Sequence, residues 1–142
     1  MAFYNRFKGN KYGNHKIIVG NTVYDSQAEA IRGEELRALE SAGEIYNLRR
    51  QVPFELLPAQ REPDKTGKRG GKIKGKLIER AVSYVADFVY ITKDGDTIVE
   101  DVKGYQGGEA YKVFTIKRKM MLYFHGIHVV EISTGKRGKR NG

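Results

Sequence analysis

The stretch YVADFVYITKDGDTIVEDVKG, Tyr84–Gly104, holds the residues best placed to do chemistry. Asp87 sits in Val-Ala-Asp-Phe-Val, and Asp101 and Lys103 sit in Ile-Val-Glu-Asp-Val-Lys-Gly. Both flanks are rich in β-branched and aromatic residues, so two strands joined by a tight turn are expected. A two-residue turn at Asp94-Gly95 would set Asp87 opposite Val102, with Asp101 on the other face. A three-residue loop, Lys93-Asp94-Gly95 with Gly95 left-handed, would set Asp87 opposite Asp101. Asp101 and Lys103 share a face in either case, because side chains alternate with period two. Facing carboxylates repel, and acids inside apolar strands are costly unless paired or metal-bound. A divalent cation between them would resolve both problems. The competing reading is an ordinary ion pair on a solvated edge.

These strands need elements to hold them. Ser26 followed by Glu29 has the spacing of a capping box and opens a helix that runs to about Ala42, stopped by Gly43. Its apolar face is expected from Ala28, Ile31, Leu39 and Ala42, with Leu36 nearby. Ahead of it, Lys16–Val19 and Thr22–Tyr24 suit a small hairpin turning at Gly20-Asn21. Glu44–Leu57 reads as extended, with Pro53 marking an edge, bulge or break. Arg49, Arg50 and Gln51 form a polar step before it, solvated or facing phosphate. A second helix is expected over about Glu109–His125, with Val113, Ile116, Met120 and Phe124 as the core face. Gly126 ends it, and Ile127–Ile132 follows as a strand parallel to the Asp101 strand through a right-handed crossover.

Composition narrows the function classes. The 142 residues include no cysteine, which excludes disulfides, thiolate nucleophiles and cysteine-based zinc sites. The net charge is +9. It is concentrated in residues 1–16 (+4), 61–76 (+5) and 135–142 (+4), so the remaining body is mildly acidic. Three basic, glycine-rich segments on such a body point to a polyanion, and nucleic acid is the natural one. Residues 60–76 cannot build a core and are expected to form a mobile loop that orders on nucleic acid. His15 is read as a lone surface residue. No apolar run approaches a membrane span, and no signal-peptide pattern opens the chain, so no membrane association is expected.

A leading helix with an acid, Ala86-Asp87-Phe88 on one strand and Glu100-Asp101-Val102-Lys103-Gly104 on the next, then a lysine-rich helix and a hydrophobic strand, together resemble the PD-(D/E)XK nuclease superfamily. Within it the chain is similar to phage-encoded endonucleases of the Holliday junction resolvase type, through Tyr24-Asp25-Ser26-Gln27-Ala28-Glu29-Ala30 and the Val99–Gly104 strand end. Ala86 stands where the family name has proline. The resemblance covers about residues 22–132.

The resemblance implies an α/β fold with a restriction-endonuclease-like αβββαβ core, a mixed central sheet flanked by helices. It divides the chain into a basic arm over 1–21, a nuclease domain over 22–134 and a basic tail over 135–142. It implies Glu29, Asp87, Asp101 and Lys103 as the catalytic set, with Asp87, Asp101, the Val102 carbonyl and Glu29 as ligands for Mg²⁺, or Mn²⁺ in its place. Glu100 points to the opposite face and ranks below Asp101. Lys72, Lys74 and Lys76 from the basic loop and Lys112, Lys117 and Lys119 from the second helix are candidate phosphate contacts. The implied activity is Mg²⁺-dependent, structure-selective hydrolysis of branched DNA in phage recombination, by a homodimer in the host cytoplasm. The alternatives are a phage nuclease for flaps, ends or duplex, and a non-catalytic nucleic-acid-binding protein.

Overall fold

The computed structural model describes residues 5–6, 16–104 and 107–133. The arm, apart from those few positions, and the tail from 134 onward lie outside the described residues, as does His15. In chain order the elements are β1 (Asn5–Arg6), β2 (Ile17–Val19), β3 (Thr22–Tyr24), α1 (Gln27–Ser41), β4 (Ile45–Leu57), β5 (Gln60–Arg61), β6 (Lys65–Thr66), β7 (Lys72–Ile73), β8 (Leu77–Glu79), β9 (Val82–Thr92), β10 (Thr97–Lys103), α2 (Gly108–His125) and β11 (Val130–Ser133). The main sheet has the order β11-β10-β9-β4, with β11 parallel to β10 and the other neighbours antiparallel. Helices α1 and α2 flank it. This is the restriction-endonuclease-like αβββαβ core, with β5–β8 inserted between its first two strands and β1–β3 forming a separate small sheet.

The β9–β10 connection takes the three-residue loop. Thr97 pairs with Ile91 and Glu100 with Phe88, and Gly95 has φ +88°, the conformation this loop requires of its third residue. One further step would place Asp87 across from Asp101, but the ladder stops there. Beyond it β9 stays with β4, while Asp101–Lys103 continue only against β11. The sheet therefore forks at the two aspartates.

Side-chain alternation also changes at this point. Phe88 and Tyr90 pack into the cluster under α1 with Tyr24, Ala30 and Leu36. Tyr84 and Ala86, which regular alternation would put on that same face, pack with Val89, Val99, Phe114 and Met121 under α2. The inversion is centred on Asp87. Across from it, between the pairs Arg50↔Phe88 and Val52↔Ala86, Gln51 adopts φ +50°. A second positive φ, at Asn47, accompanies the register shift between Tyr46 and Arg49. Pro53 lies in β4, an edge strand of the main sheet, where a missing donor is tolerated.

Three expectations are corrected. The core side of α1 is Ala30, Gly33 and Leu36, while Ile31 and Leu39 are exposed. Gly33 is required there, because a Cβ would lie 2.5 Å from the Tyr24 ring. The core side of α2 is Phe114 and Met121, and Val113, Ile116 and Phe124 are exposed. Residues 60–76 are not an unstructured loop: β5 pairs with β8 and β6 with β7, which makes a two-stranded ribbon. Both helix stops are as expected, with Gly43 and Gly126 at positive φ.

Candidate active site

The fork leaves the Val102 amide without a ladder partner on the β9 side. Asp87 supplies one, its Oδ2 accepting the Val102 N–H at 2.8 Å. Val102 itself turns its side chain into the α1 cluster. Asp87 is thus held at the branch point of two strands, where burial pushes its carboxyl up from its ordinary 3.8 to about 7. The Val102 hydrogen bond works against that rise, and the nearby charges of Asp101 and Glu29 add to it.

Asp101 is buried on the α2 side. Tyr84 donates its hydroxyl to Oδ1 at 2.9 Å. Lys103 Nζ lies 2.7 Å from Oδ2, as an ion pair outside hydrogen-bond geometry, so Oδ2 is buried with no hydrogen-bond donor. Lys103 also sits over the Phe114 ring, 4.0 Å from its centroid, so α2 fixes where the ammonium lies. Burial first, and then the Asp101 charge, keep the Tyr84 phenol protonated well beyond its usual range.

Glu29 reaches the fork from the first turn of α1. Ser26 caps the helix as expected, accepting the Glu29 N–H at 3.1 Å. The Glu29 side chain does not return to the cap. It is buried, and its Oε1 accepts from Arg50 Nη2 at 3.2 Å and from Gln51 Nε2 at 3.0 Å. Burial raises its pKa, and the Arg50 hydrogen bond opposes the rise. Gln51 Nε2 also lies 3.3 Å from Asp87 Oδ1, so one amide spans the helix acid and the strand acid. Arg50 is steadied by stacking over Tyr24, 4.2 Å from the ring centroid.

Glu29, Asp87, Asp101 and Lys103 are therefore brought to one fork, with the Val102 backbone inside it. Glu100 faces the other way, buried and bound by Arg32 through two contacts of 2.7 Å and by the Tyr90 hydroxyl. Lys112 is tied to Glu109 at 3.2 Å. Lys117 is half-buried and Lys119 exposed on α2. Lys72, Lys74 and Lys76 are on the ribbon, away from the fork in sequence and element.

Gln51, Arg50 and Tyr84 are site residues whose roles sequence pattern did not assign. Gln51 and Arg50 carried only the cue of a polar step before Pro53. Tyr84 carried none, because its position on the Asp101 side depends on the inversion at Asp87. Glu131, beside Asp101 in the parallel ladder and bonded to Arg118 at 3.2 Å, was likewise unassigned.

Among the described residues, no three His, Cys, Asp or Glu side chains converge closely enough to hold a metal as they stand. Each acid is engaged: Glu29 by Arg50 and Gln51, Asp87 by Val102 and Gln51, Asp101 by Tyr84 and Lys103. The donor set still suits a hard cation. It is made only of carboxylate and carbonyl oxygens, and Asp101 Oδ2 is buried beside a positive charge without a hydrogen bond. Among the described residues no helix is long and apolar enough to cross a membrane.

The pattern of a family described as proteins of unknown function (DUF1064) matches residues 9–134, and the chain belongs to that family. No curated protein and no solved structure matches the chain.

Proposed function

We propose that this protein is a metal-dependent endodeoxyribonuclease of the PD-(D/E)XK type, and that its substrate is branched DNA such as a four-way junction. The observation that carries the reading is the fork itself. A sheet splits at Asp87 and Asp101, places Lys103 beside Asp101, and receives Glu29 from the flanking helix. A buried acid beside an amine, with a second, half-buried acid close by, is expensive for a purely structural role.

Asp87 and Asp101, with the Val102 carbonyl and Glu29, would hold Mg²⁺ or Mn²⁺. The cation would supply charge neutralisation at the scissile phosphate and activation of water. The chain's own residues do the rest. Lys103, oriented by Phe114, presents its ammonium to the developing charge on a phosphate oxygen. Tyr84 orients Asp101, and Gln51 bridges Glu29 and Asp87 through its amide. Asp87 must be ionised to act as a ligand. Cutting a junction symmetrically needs two such sites, so the working form is a homodimer, encoded by a phage and acting inside its host.

A second reading, a non-catalytic nucleic-acid-binding protein, is favoured by one observation: every acid at the fork already has a partner. Cleavage of a labelled four-way junction beside matched duplex and flap, with Mg²⁺, Mn²⁺ or EDTA, decides between them. Metal-dependent paired nicks confined to the junction are expected. Cutting of duplex or flap instead would discard the junction and keep the site. Tight binding without cutting under any metal would replace the enzyme with the binding protein.

A further inference from the structure

The ribbon of residues 60–79 is built without a core. Gly75 is its one fully buried residue, and Ile73, Leu77 and Ile78 are exposed. Isolated two-stranded hairpins are marginal in water, so the order must come from elsewhere. A polar lock supplies it. Asp64 Oδ1 accepts the Gly75 N–H at 2.8 Å, Arg61 Nη1 donates to the Gly75 carbonyl at 3.1 Å, and Glu62 N–H reaches Lys76 O at 2.8 Å. Lys72 pairs with Asp64 at 3.2 Å. Gly75 is pressed so tightly onto Glu62 that a Cβ would lie 1.7 Å from its carbonyl oxygen. Asp64 is thereby consumed in holding the shape. Lys65, Lys68, Arg69, Lys74 and Lys76 form no ion pair among the described residues, and all are exposed.

We infer that this ribbon is a preformed duplex-DNA clamp, separate from the fork, that grips the backbone of a DNA arm away from the phosphate being cut. It rests on the nucleic-acid reading of the protein and not on the cleavage chemistry. Three observations select duplex as the partner. A two-stranded β-ribbon fits the major groove. Residues 60–79 contain no aromatic residue on which unpaired bases would stack. And a ribbon whose backbone is already ordered by its lock suits the regular phosphate array of a duplex, since order established beforehand is not a cost at binding.

The test uses the full chain in EDTA, with fluorescence anisotropy on a 30-base-pair duplex and on a single strand of equal length across a salt series. The Lys68→Ala/Arg69→Ala/Lys74→Ala variant should lose about tenfold in duplex affinity at moderate salt, and its log–log salt slope should fall by about 2.7. Its loss on the single strand should be smaller. Asp64→Ala keeps every cation and removes an acid, so a simple polyanion-attracting patch would bind as well or better. The clamp predicts weaker duplex binding instead. Both variants should retain the wild-type melting transition of the αβββαβ core. Unchanged duplex affinity and slope in the triple variant would overturn the clamp and leave the ribbon to an acidic protein partner. Asp64→Ala binding duplex at least as tightly as wild type would overturn it equally. Failure of the wild-type chain to bind any DNA in EDTA would instead sink the nucleic-acid reading on which the clamp rests.

Discussion

Asp87 Oδ2 takes the Val102 amide at 2.8 Å at the step where β9 and β10 part. A side chain thus completes a ladder that the backbone abandons, and the fork is held open by a group that is itself ionisable. Burial there raises the Asp87 pKa to about 7, and Glu29 is raised in the same direction by its own burial. Between about pH 4 and pH 7 the folded state therefore keeps a proton that the unfolded chain has released. Stability falls as pH rises through that window, which is the reverse of a salt-bridged aspartate. In EDTA, the urea midpoint should be lower at pH 8 than at pH 5, and Asp87→Asn should flatten the difference. Mg²⁺ added at pH 8 should raise the midpoint of the wild type and not of Asp87→Asn. A wild-type midpoint that rises from pH 5 to pH 8 without metal would show that Asp87 is not held in its protonated form.

Asp101 is a sharper test of the chemistry, because its carboxylate is positioned from two sides by Tyr84 and Lys103. Asp101→Asn keeps the shape and removes the charge. Cleavage should fall by at least about a hundredfold, the scale on which a single electrostatic contribution acts in a transition state. DNA binding should stay the same or tighten, since a negative charge near the phosphate has gone. Side-by-side turnover and affinity measurements check this. Wild-type turnover in Asp101→Asn would remove it from the site.

Gly33 supports the site from behind. It lets the Tyr24 ring approach α1 closely, and Tyr24 is the ring on which Arg50 stacks before reaching Glu29. Gly33→Ala would push a methyl into that ring, an overpacking that costs about 1–3 kcal/mol. A lowered melting temperature with weakened cleavage is the expected pair of effects. An unshifted melt would mean that the Tyr24 ring moves aside freely.

Much of this architecture is legible in the chain because it rests on local chemistry. Ser26 caps α1, and Gly43 and Gly126 end the helices, whereas Gly95 fits both hairpin loops that the sequence allows and only the observed register selects the three-residue one. What stays hidden depends on partners distant in sequence. Periodicity finds the stripe Val113, Ile116, Met120 and Phe124 on α2, but cannot tell a core face from an exposed one: Met120 packs against the core, the other three are exposed, and Phe114 and Met121 are the buried residues. Composition marks residues 60–76 as unable to form a core, correctly, yet the Asp64–Gly75 lock that orders them spans eleven positions. The role of Glu29 is obscured by its perfect capping-box spacing, since the donors its carboxylate finds are not in its own helix but are Arg50 and Gln51 on the β4 edge.

Gln51 shows most directly how the fold is bent to the site. A non-glycine residue at φ +50° in a strand stores on the order of 1–3 kcal/mol of strain. In return its amide reaches Glu29 at 3.0 Å and Asp87 at 3.3 Å. Replacement by glycine separates the two effects. Gln51→Gly relieves the backbone and deletes the amide, so the variant should melt within a few degrees of wild type or above it, while cleavage drops by about tenfold or more. Gln51→Glu puts a third carboxylate between two others, so it should lower the melting temperature in EDTA and recover part of it when Mg²⁺ is added. Full cleavage by Gln51→Gly would mean that the strained amide positions neither acid, and that the positive φ belongs to the strand inversion at Asp87 alone.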